Sequence, residues 1–311
     1  MVSRLPHPYV FSKQIIRANQ FGAPIVALES TVITHGLPKP DNFQLALEME
    51  SVVRENGATP ATIAILNGEI HIGLSEEELG ILANREDTRK ISLRDFGIAL
   101  AGGLSGGTTV ASTLFVSALA NIKVFATGGI GGVHRGAPFD ISADLTQLSK
   151  SPVIVVCSGA KAILDLPATR EVLETQGVPV IGYQTDELPA FYTRYSGLGV
   201  DARVETPDEA AKIAIESWKA GITSAILLVV PPPEESALTS DEMESAIQAA
   251  LADADRANIH GAATTPFLLN RVSELTGGES LRANLALLKN NARVAAQVSA
   301  AMGGVDKIGP Y

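Results

Sequence analysis

The sequence is poor in cysteine, in aromatic residues and in long apolar runs, and each shortage excludes a class of protein. Its 311 residues include one cysteine, Cys157, so no intrachain disulfide can form, and the composition fits a reducing compartment. Aromatic residues make up 5% of the chain against 46% hydrophobic residues, which favours a parallel sheet covered by helices over a β-sandwich. The longest apolar runs, 153–157 and 225–230, have the length of a strand, so we expect no membrane span.

The sequence also lacks the signals of export and the charge of a nucleic-acid-binding protein. The N-terminal segment has no apolar stretch of a secretory signal, and the C-terminal GPY differs from the peroxisomal signal Ser-Lys-Leu. The formal net charge is −10, which repels a phosphate backbone. We therefore expect a cytoplasmic protein with neither a nucleic-acid nor a membrane partner. An organellar location, in a peroxisome or a mitochondrion, stays open.

Short apolar runs alternate with longer amphipathic stretches along the chain. Strands are predicted at 25–28, 61–66, 124–126, 153–157, 180–183 and 225–230, and helices at 42–56, 75–83, 167–175, 206–220, 241–258, 266–275 and 280–301. Such alternation implies right-handed crossovers between parallel strands. No linker-like tract or internal repeat divides the chain. The sequence therefore predicts one α/β domain over residues 1–311, a single α/β/α sandwich with a mostly parallel central sheet.

Polar and ionisable residues follow three of the predicted strands. Glu29 follows the first, the stretch 127–136 (TGGIGGVHRG) follows the third, and 158–161 (SGAK) follows the fourth. In open α/β sheets, ligands bind outside the carboxyl ends of the strands. The convergence of these three segments predicts a functional site at that edge of the sheet.

Two glycine-rich stretches bear on phosphate binding. Residues 102–109, GGLSGGTT, nearly match a phosphate-binding P-loop, but Thr108 stands where the lysine is required, which argues against an ATPase or a sugar kinase. Residues 128–134, GGIGGVH, do not complete the dinucleotide motif GxGxxG. The glycines either form tight turns or let backbone N–H groups approach a phosphate monoester, and the sequence leaves both interpretations open.

Lys161 and Glu29 are the candidates for catalysis. Lys161 has the apolar neighbours Ala160, Ala162 and Ile163. It is either a solvated surface lysine or a nucleophile, because a partly buried amine gives up its charge readily, and the neutral amine can attack a sugar C1′ to form a Schiff base. Glu29 is either a capping or pairing carboxylate, or a general acid whose pKa is raised by apolar surroundings.

Four further ionisable residues each allow two interpretations. If the segment FDISADL is helical, Asp140 and Asp144 lie on one face. They either cap a helix N-terminus or, for Asp140, bind a divalent metal that is otherwise held by water. His134 and Lys90 are either turn and surface residues or contacts to a phosphate group.

With these residues assembled, the sequence resembles the pseudouridine-5′-phosphate glycosidases, also called the indigoidine synthase A-like family, from about residue 25 to 292. The resemblance is carried by ALESTVITHGLPKP, ATGGIGGVHRGA, FDISADL, VCSGAKAILDLPATRE, GYQTDELPAFY, LLVVPPPEE, TTPFLLNRV and ANLALLKNNA. It implies reversible cleavage of the C1′–C5 bond of pseudouridine 5′-phosphate to uracil and ribose 5-phosphate in pseudouridine catabolism. The activity is that of a glycosidase classed as a hydro-lyase. The resemblance also implies a divalent metal cofactor, Mn²⁺, and a homotrimer.

The resemblance further implies roles for individual residues. Glu29 corresponds to the proton donor, Lys161 to the Schiff-base nucleophile and Asp140 to the metal ligand. The positions that correspond to substrate contacts are Lys90, Val110, Thr127, His134, Ser142, Ala143, Asp144 and Asn284. Residues 135–139, RGAPF, form a shorter segment than the family pattern, which bears on metal affinity.

Two other classes of protein fit the same residues. One is a different Schiff-base enzyme on a phosphosugar, such as an aldolase or a synthase that joins the sugar to another base. The other is a non-catalytic protein that binds a phosphosugar on this scaffold. Assays of uracil release against other nucleotides separate the first class, and an absence of turnover with metal present identifies the second.

Overall fold

The computed structural model of the protein describes residues 7–259 and 264–303, so the C-terminal GPY lies outside the described residues. The strands are β1 (Tyr9–Phe11), β2 (Ile25–Leu28), β3 (Thr59–Leu66), β4 (Glu69–Ile72), β5 (Arg89–Ile91), β6 (Gly106–Thr108), β7 (Val124–Ala126), β8 (Val133–His134), β9 (Ala137–Ile141), β10 (Ile154–Cys157), β11 (Leu164–Asp165), β12 (Val180–Tyr183), β13 (Ala202–Val204) and β14 (Ile226–Val229). The α-helices are α1 (Lys13–Phe21), α2 (Asp41–Glu55), α3 (Glu76–Asn84), α4 (Phe96–Ala101), α5 (Val110–Leu119), α6 (Ala143–Leu148), α7 (Leu166–Thr175), α8 (Pro207–Lys219), α9 (Ser240–Arg256), α10 (Thr264–Leu275) and α11 (Glu279–Met302). A π-helix spans Val32–Gly36, and short 3₁₀ helices span Leu93–Asp95 and Glu234–Ser236.

Eleven strands form one central sheet in the described part of the chain. Its order is β1-β4-β3-β2-β7-β10-β14-β12-β13, with β6 paired to β3 and β5 paired to β6. The strands from β3 to β13 along this order are parallel neighbours, whereas β4 and β6 run antiparallel to β3. A separate small sheet has the antiparallel order β11-β8-β9. The prediction of a mostly parallel central sheet is thus confirmed.

The central strands are short runs of apolar residues because they are covered on both faces. Every residue of β2, β10, β12 and β14 is buried, which in a parallel sheet requires a layer of helices on each side. Helices α2, α8 and α11 pack together, and α11 also packs against β2, β7 and β10. Helices α5 and α6 pack against each other, and α5 contacts β2 and β7 as well. The predicted helical cover of the sheet is confirmed.

Side-chain caps determine where two of the helices begin. Ser75 and Glu78 form the predicted capping box of α3, with the Ser75 hydroxyl accepting from Glu78 N and the Glu78 carboxylate accepting from Ser75 N. Thr206 and Glu209 form the same arrangement at α8, where Pro207 occupies the first turn. None of the helices in the described residues is both long enough and apolar enough to cross a bilayer.

The order of strands identifies a crevice in the sheet. Strand β2 has β3 on one side and β7 on the other. The connection from β2 to β3 therefore runs to one side of β2, and the later connection to β7 runs to the opposite side. At such a switch point the loops beyond the carboxyl ends of the strands diverge and leave room for a ligand. The loops after β2, β7 and β10 therefore enclose the expected position of a site.

The sole cysteine lies in the middle of this sheet. Cys157 is the last residue of β10 and is fully buried. Burial raises the pKa of its thiol to about 12. The thiol is therefore an inert apolar group in the native protein, as is usual for buried cysteine.

Candidate active site

A cavity of about 390 Å³ lies beyond the carboxyl ends of β2, β7 and β10. It is lined by all the residues to which the sequence assigned site roles, namely Glu29, Lys90, Val110, Thr127, His134, Asp140, Ser142, Ala143, Asp144, Lys161 and Asn284. These residues come from separate segments of the chain, and only the fold brings them together. Their joint position at one cavity is a property of the structure, whereas their individual roles stay predictions.

Glu29 and Thr127 follow adjacent strands and contact each other. The Thr127 hydroxyl donates a hydrogen bond to Oε1 of Glu29. Burial raises the pKa of Glu29, and the positive charge of Lys161 opposes this effect. A carboxyl group with a raised pKa keeps its proton closer to neutral pH than an exposed one. Glu29 is therefore suited to donate a proton inside the cavity.

Lys161 lies on the loop after β10, and backbone hydrogen bonds join this loop to the loop after β7. Its backbone N–H donates to the Ile130 carbonyl at 3.0 Å, and Ile130 N donates to the Gly159 carbonyl at 3.0 Å. The side chain is half-buried and lines the cavity. Its charge acts on both Glu29 and Lys90, which places the three groups close together. Lys161 is therefore not a solvated surface lysine.

Lys90 and His35 form a second polar part of the cavity wall. Burial lowers the pKa of Lys90, and the charge of Lys161 lowers it further. His35 lies in the π-helix after β2, with Nδ1 2.7 Å from the Thr34 hydroxyl. Burial, together with the charge of Lys90, lowers the pKa of His35. His35 was not assigned a role from the sequence, although it lies in the polar stretch that follows the first predicted strand.

Asp144 connects two elements that line the cavity. Its Oδ1 accepts from Ala111 N, in the first turn of α5, and its Oδ2 accepts from Gly131 N, both at 2.8 Å. Asp144 thus joins the first turn of α5 to the glycine-rich loop after β7. Ser142 and Asp144 together explain Gly131, because a Cβ at that position would clash with the side chain of Ser142 and lie 2.8 Å from Oδ2 of Asp144.

The Asp144→Asn variant is expected to be less stable than the wild type by about 2–3 kcal/mol, because one of the two buried N–H donors would face an amide NH₂ group. Urea unfolding measures this difference. The matched control is Asp208→Asn, an exposed carboxylate on α8, for which a change within about 0.5 kcal/mol is expected. Equal stability of the two variants would show that the contacts of Asp144 contribute little.

Asp140 and Asp144 do not share a helix, so the helical interpretation of FDISADL is wrong. Asp140 belongs to β9, while Asp144 lies in the first turn of α6. The Ser142 hydroxyl accepts from Asp144 N at 3.2 Å and caps α6, which therefore begins only at Ala143. The cap at this helix is thus Ser142 and not an aspartate.

The short segment 135–139 forms a tight hairpin that brings Asp140 to His134. His134 pairs with Ala137, and Gly136 in the turn has φ +72°, a conformation that glycine adopts readily. Asp140 Oδ2 lies 3.0 Å from His134 Nδ1, although the two are not aligned as a hydrogen bond. Both ring nitrogens of His134 are buried and lack a hydrogen-bond partner among the described residues. His134 therefore lines the cavity without a hydrogen bond that would fix the orientation of its ring.

This hairpin offers a single exposed carboxylate, Asp140, to a divalent metal, which would need its other ligands from water. The side chain of Asp140 is 56% exposed, so its carboxylate can reach an ion at the cavity. Within residues 7–259 and 264–303, no group of three or more His, Cys, Asp or Glu side chains is arranged to hold a metal. An ion bound here would keep several water ligands, which Mg²⁺ does in sites with one or two carboxylates. Oxygen ligands also suit Mn²⁺.

Phe191 lines the cavity and was missed from the sequence. Its φ of +63° is rare for a bulky residue. The conformation is held by a hydrogen bond from Phe191 N to the Ser158 carbonyl at 3.0 Å and by edge-to-face packing on Tyr192 at 4.7 Å. Phe191 also packs on Gly129, where a Cβ would lie 2.6 Å from the ring. The glycine-rich stretch thus accommodates neighbouring side chains, which neither of the two sequence interpretations included.

Comparison with known proteins identifies relatives that match this chain over nearly its whole length. The family model described as "Indigoidine synthase A like protein" matches residues 14–301. A protein of Caldanaerobacter subterraneus subsp. tengcongensis named pseudouridine-5′-phosphate glycosidase is 55% identical over 290 residues, which are 93% of this chain and 94% of its own. A protein of the same name from Herpetosiphon aurantiacus is 54% identical over 295 residues, which are 94% of this chain and 97% of its own.

Two solved structures share the fold over nearly the full chain. The prealnumycin C-glycosynthase AlnA, solved in complex with ribulose 5-phosphate, has a TM-score of 0.89 at 40% identity. An indigoidine synthase A-like protein from Thermotoga maritima has a TM-score of 0.88 at 36% identity. Each comparison covers 96% of this chain and 98% of the other.

Proposed function

The chain belongs to the indigoidine synthase A-like family, and on that basis we propose that it cleaves the C1′–C5 bond of pseudouridine 5′-phosphate to give uracil and ribose 5-phosphate. The observation that carries the proposal is the joint position of Lys161 and Glu29 at one cavity. The first is an amine that can form a Schiff base, and the second is a carboxyl group with a raised pKa. The names of relatives that are more than half identical over nearly the whole chain support the same substrate.

A carbon–carbon glycosidic bond demands a mechanism other than that of ordinary glycosidases, because its leaving atom has no lone pair to protonate. In the proposed first step, Glu29 protonates the ring oxygen O4′ while the neutral amine of Lys161 attacks C1′. The C1′–O4′ bond breaks and the ribose chain opens. The nitrogen of the adduct then returns a proton to Glu29, which restores the acid for the next step.

In the second step the lone pair of the Lys161 nitrogen forms a C1′=N bond and the C1′–C5 bond breaks. The electron pair stays on uracil C5, which takes the proton of Glu29. Water then adds to C1′ of the iminium, frees the Lys161 amine and gives Glu29 its proton back. The sum is pseudouridine 5′-phosphate plus water to uracil plus ribose 5-phosphate, with both residues regenerated.

The substrate phosphate is assigned to the side of the cavity near Lys90. The Val110 N–H lies at the N-terminus of α5, where the helix dipole favours an anion. The Lys90 ammonium and the segment from Ser142 to Asp144 lie at the same cavity. Binding energy from this non-reacting end would position C1′ against Lys161.

A divalent metal, Mn²⁺ in this proposal, would be held by Asp140 next to His134. Bound there, it would supply positive charge and ordered water that orient the substrate. Asp140 itself contributes a carboxylate whose position is set by the β8–β9 hairpin, and His134 contributes a buried ring nitrogen to the same part of the cavity.

The Asp140→Ala variant is expected to lose the response of its activity to added Mn²⁺, because the single carboxylate at the hairpin is removed. Titration of the metal-free enzyme with Mn²⁺ during turnover measures the effect. The control is Asp186→Ala, an exposed carboxylate paired with Arg203 far along the sequence, which should keep the wild-type response. An unchanged metal dependence in Asp140→Ala would remove this residue from the metal site.

The proposed activity is tested by chromatography of the products. The purified enzyme with Mn²⁺ and pseudouridine 5′-phosphate should release uracil and ribose 5-phosphate in equal amounts, and the reverse mixture should form pseudouridine 5′-phosphate. Failure of both reactions, with folded and metal-loaded protein, would reject the substrate. We further propose a homotrimer, for which light scattering should give three times the mass of the chain.

A second candidate activity is the formation of a C-glycoside from a different ring. It is favoured by the similarity to AlnA, a C-glycosynthase whose structure contains ribulose 5-phosphate. The same nucleophile and acid would serve, since the chemistry at C1′ is shared and only the acceptor ring differs. Turnover with an aromatic acceptor and ribose 5-phosphate, in the absence of turnover with uracil, would favour this candidate.

A further inference from the structure

Helix α11 places a fully buried amide directly behind the candidate active site. Asn291 has no exposed surface, and most of its neighbours on the inner face of α11 are apolar, among them Leu287, Leu288 and Ala295. A buried amide in such a face has an unfavourable desolvation that hydrogen bonds must offset. The contacts of Asn291 therefore indicate why an amide occupies this position.

The amide of Asn291 joins the loops that follow β7 and β10. Its Nδ2 donates to the Thr127 carbonyl at 2.9 Å and lies 3.4 Å from the Gly128 carbonyl. The same Nδ2 lies 3.2 Å from the Ser158 hydroxyl, which in turn donates to Oδ1 at 3.3 Å. The two loops are also joined directly by Ser158 N and the Gly128 carbonyl at 2.9 Å.

One of these loops carries the residue that binds the proposed acid, Glu29 of the loop after β2, and the other carries the proposed nucleophile. The first loop carries Thr127, whose hydroxyl binds Glu29, and the second carries Lys161. Asn284 lies on the same helix, two turns before Asn291, and faces the cavity. One rigid helix thus contacts the cavity and fixes both loops.

We propose that Asn291 is a positioning residue that sets the Lys161 amine against the Glu29–Thr127 pair. The inference rests on the proposed function, because it assigns a role in forming the bond between Lys161 and C1′. Asn291 itself lies behind the cavity wall and touches no substrate. Its loss is expected to affect the attack of the amine and to spare the phosphate end, where Lys90 and α5 bind.

The test compares Asn291→Ala and the near-isosteric Asn291→Leu with Ser299→Ala. Ser299 is a buried polar residue on the same helix, and its hydroxyl donates to the Ile25 carbonyl at 3.0 Å, at the end of β2 away from Glu29. Ser158→Ala is a milder variant that removes one partner of Asn291. The measurements on the Mn²⁺-loaded enzyme are kcat for uracil release, the dissociation constant of ribose 5-phosphate and the rate of borohydride trapping with ribose 5-phosphate.

In the Asn291 variants, kcat and the trapping rate are expected to fall together by about 10²-fold, as for a misplaced reacting group. The dissociation constant of ribose 5-phosphate should change by less than about threefold, and Ser158→Ala should lie between these variants and the wild type. Ser299→Ala should lower the melting temperature and leave kcat within about twofold of the wild type.

Three results would overturn the inference. A loss of kcat no larger than that of Ser299→Ala assigns Asn291 a structural role alone. An equal loss in kcat and in ribose 5-phosphate affinity shows that the whole cavity is disturbed. If the wild type neither releases uracil nor forms a trapped adduct, the proposed function fails and the positioning role fails with it. The first result is distinguishable from this one, because there the wild type is active and only the positioning role is rejected.

Discussion

Replacement of Lys161 by alanine is expected to lower kcat by about 10⁴-fold or more, because it removes the atom that we propose bonds to C1′. The rest of the cavity wall stays intact, so Lys90 and the N-terminus of α5, the proposed contacts of the phosphate, remain in place. Ribose 5-phosphate should therefore remain bound with measurable affinity. Mass spectrometry after borohydride treatment should show an adduct in the wild type and none in the variant.

The matched control for this variant is Lys212→Ala, which removes an exposed lysine from α8. It should be trapped and turn over like the wild type. Near wild-type turnover of Lys161→Ala would reject Lys161 as the nucleophile. If borohydride trapping adds the same mass to Lys161→Ala as to the wild type, another amine at the cavity forms the Schiff base, and Lys90 is the first to test.

The Glu29→Gln variant is expected to lower kcat by roughly 10²- to 10⁴-fold, the usual contribution of general acid catalysis. Glutamine keeps the size of the side chain and can still accept the Thr127 hydroxyl, but its amide has no acidic proton to transfer to the substrate. In the wild type, activity should fall as the pH rises through the raised pKa of Glu29. A pH–rate profile of the variant should lack this alkaline limb; its persistence would assign the limb to a different group.

The same substitution is expected to raise stability, because a carboxylate is unfavourable at this half-buried position in the cavity wall. The pKa of Glu29 is raised in the folded protein above its ordinary value of 4.5, so the unfolded chain loses its proton first as the pH rises. Stability from the protonated group is complete below pH 4.5 and declines until the pH passes the folded pKa. The melting temperature of Glu29→Gln should therefore exceed that of the wild type at neutral pH by more than at acid pH. A pH-independent difference would contradict the raised pKa.

The core of the fold was predictable because burial on both faces leaves a clear signal in the sequence. Strands β2, β7 and β12 have the predicted bounds, whereas β10 begins one residue later than predicted and β14 is one residue shorter at each end. The strands that were missed lack this signal. Strand β6 is Gly106–Thr108 and has almost no side chains from which to read a pattern, and β13 is largely exposed at the sheet edge. Strand β4 was also not predicted, although its burial alternates along Glu69–Ile72.

The members of the site were predictable to the extent that they follow apolar strands or match the family pattern. Glu29, Thr127 and Lys161 all follow such strands, and the structure places them at one cavity. The relation of Asp140 to Asp144 was not predictable from spacing, because the cap at Ser142 ends the extended segment between them. Phe191 was missed because its neighbours in space, Gly129 and Ser158, are remote in sequence.

The position of Cys157 gives the protein a natural reporter of its own opening. A thiol-specific reagent cannot reach this residue until the centre of the sheet separates, and the chain holds no second thiol to compete. The rate of labelling in native buffer therefore follows the rare openings of β10, without any engineered mutation. Because the loop with Lys161 begins at the next residue, a ligand that fastens this loop should slow the labelling reaction.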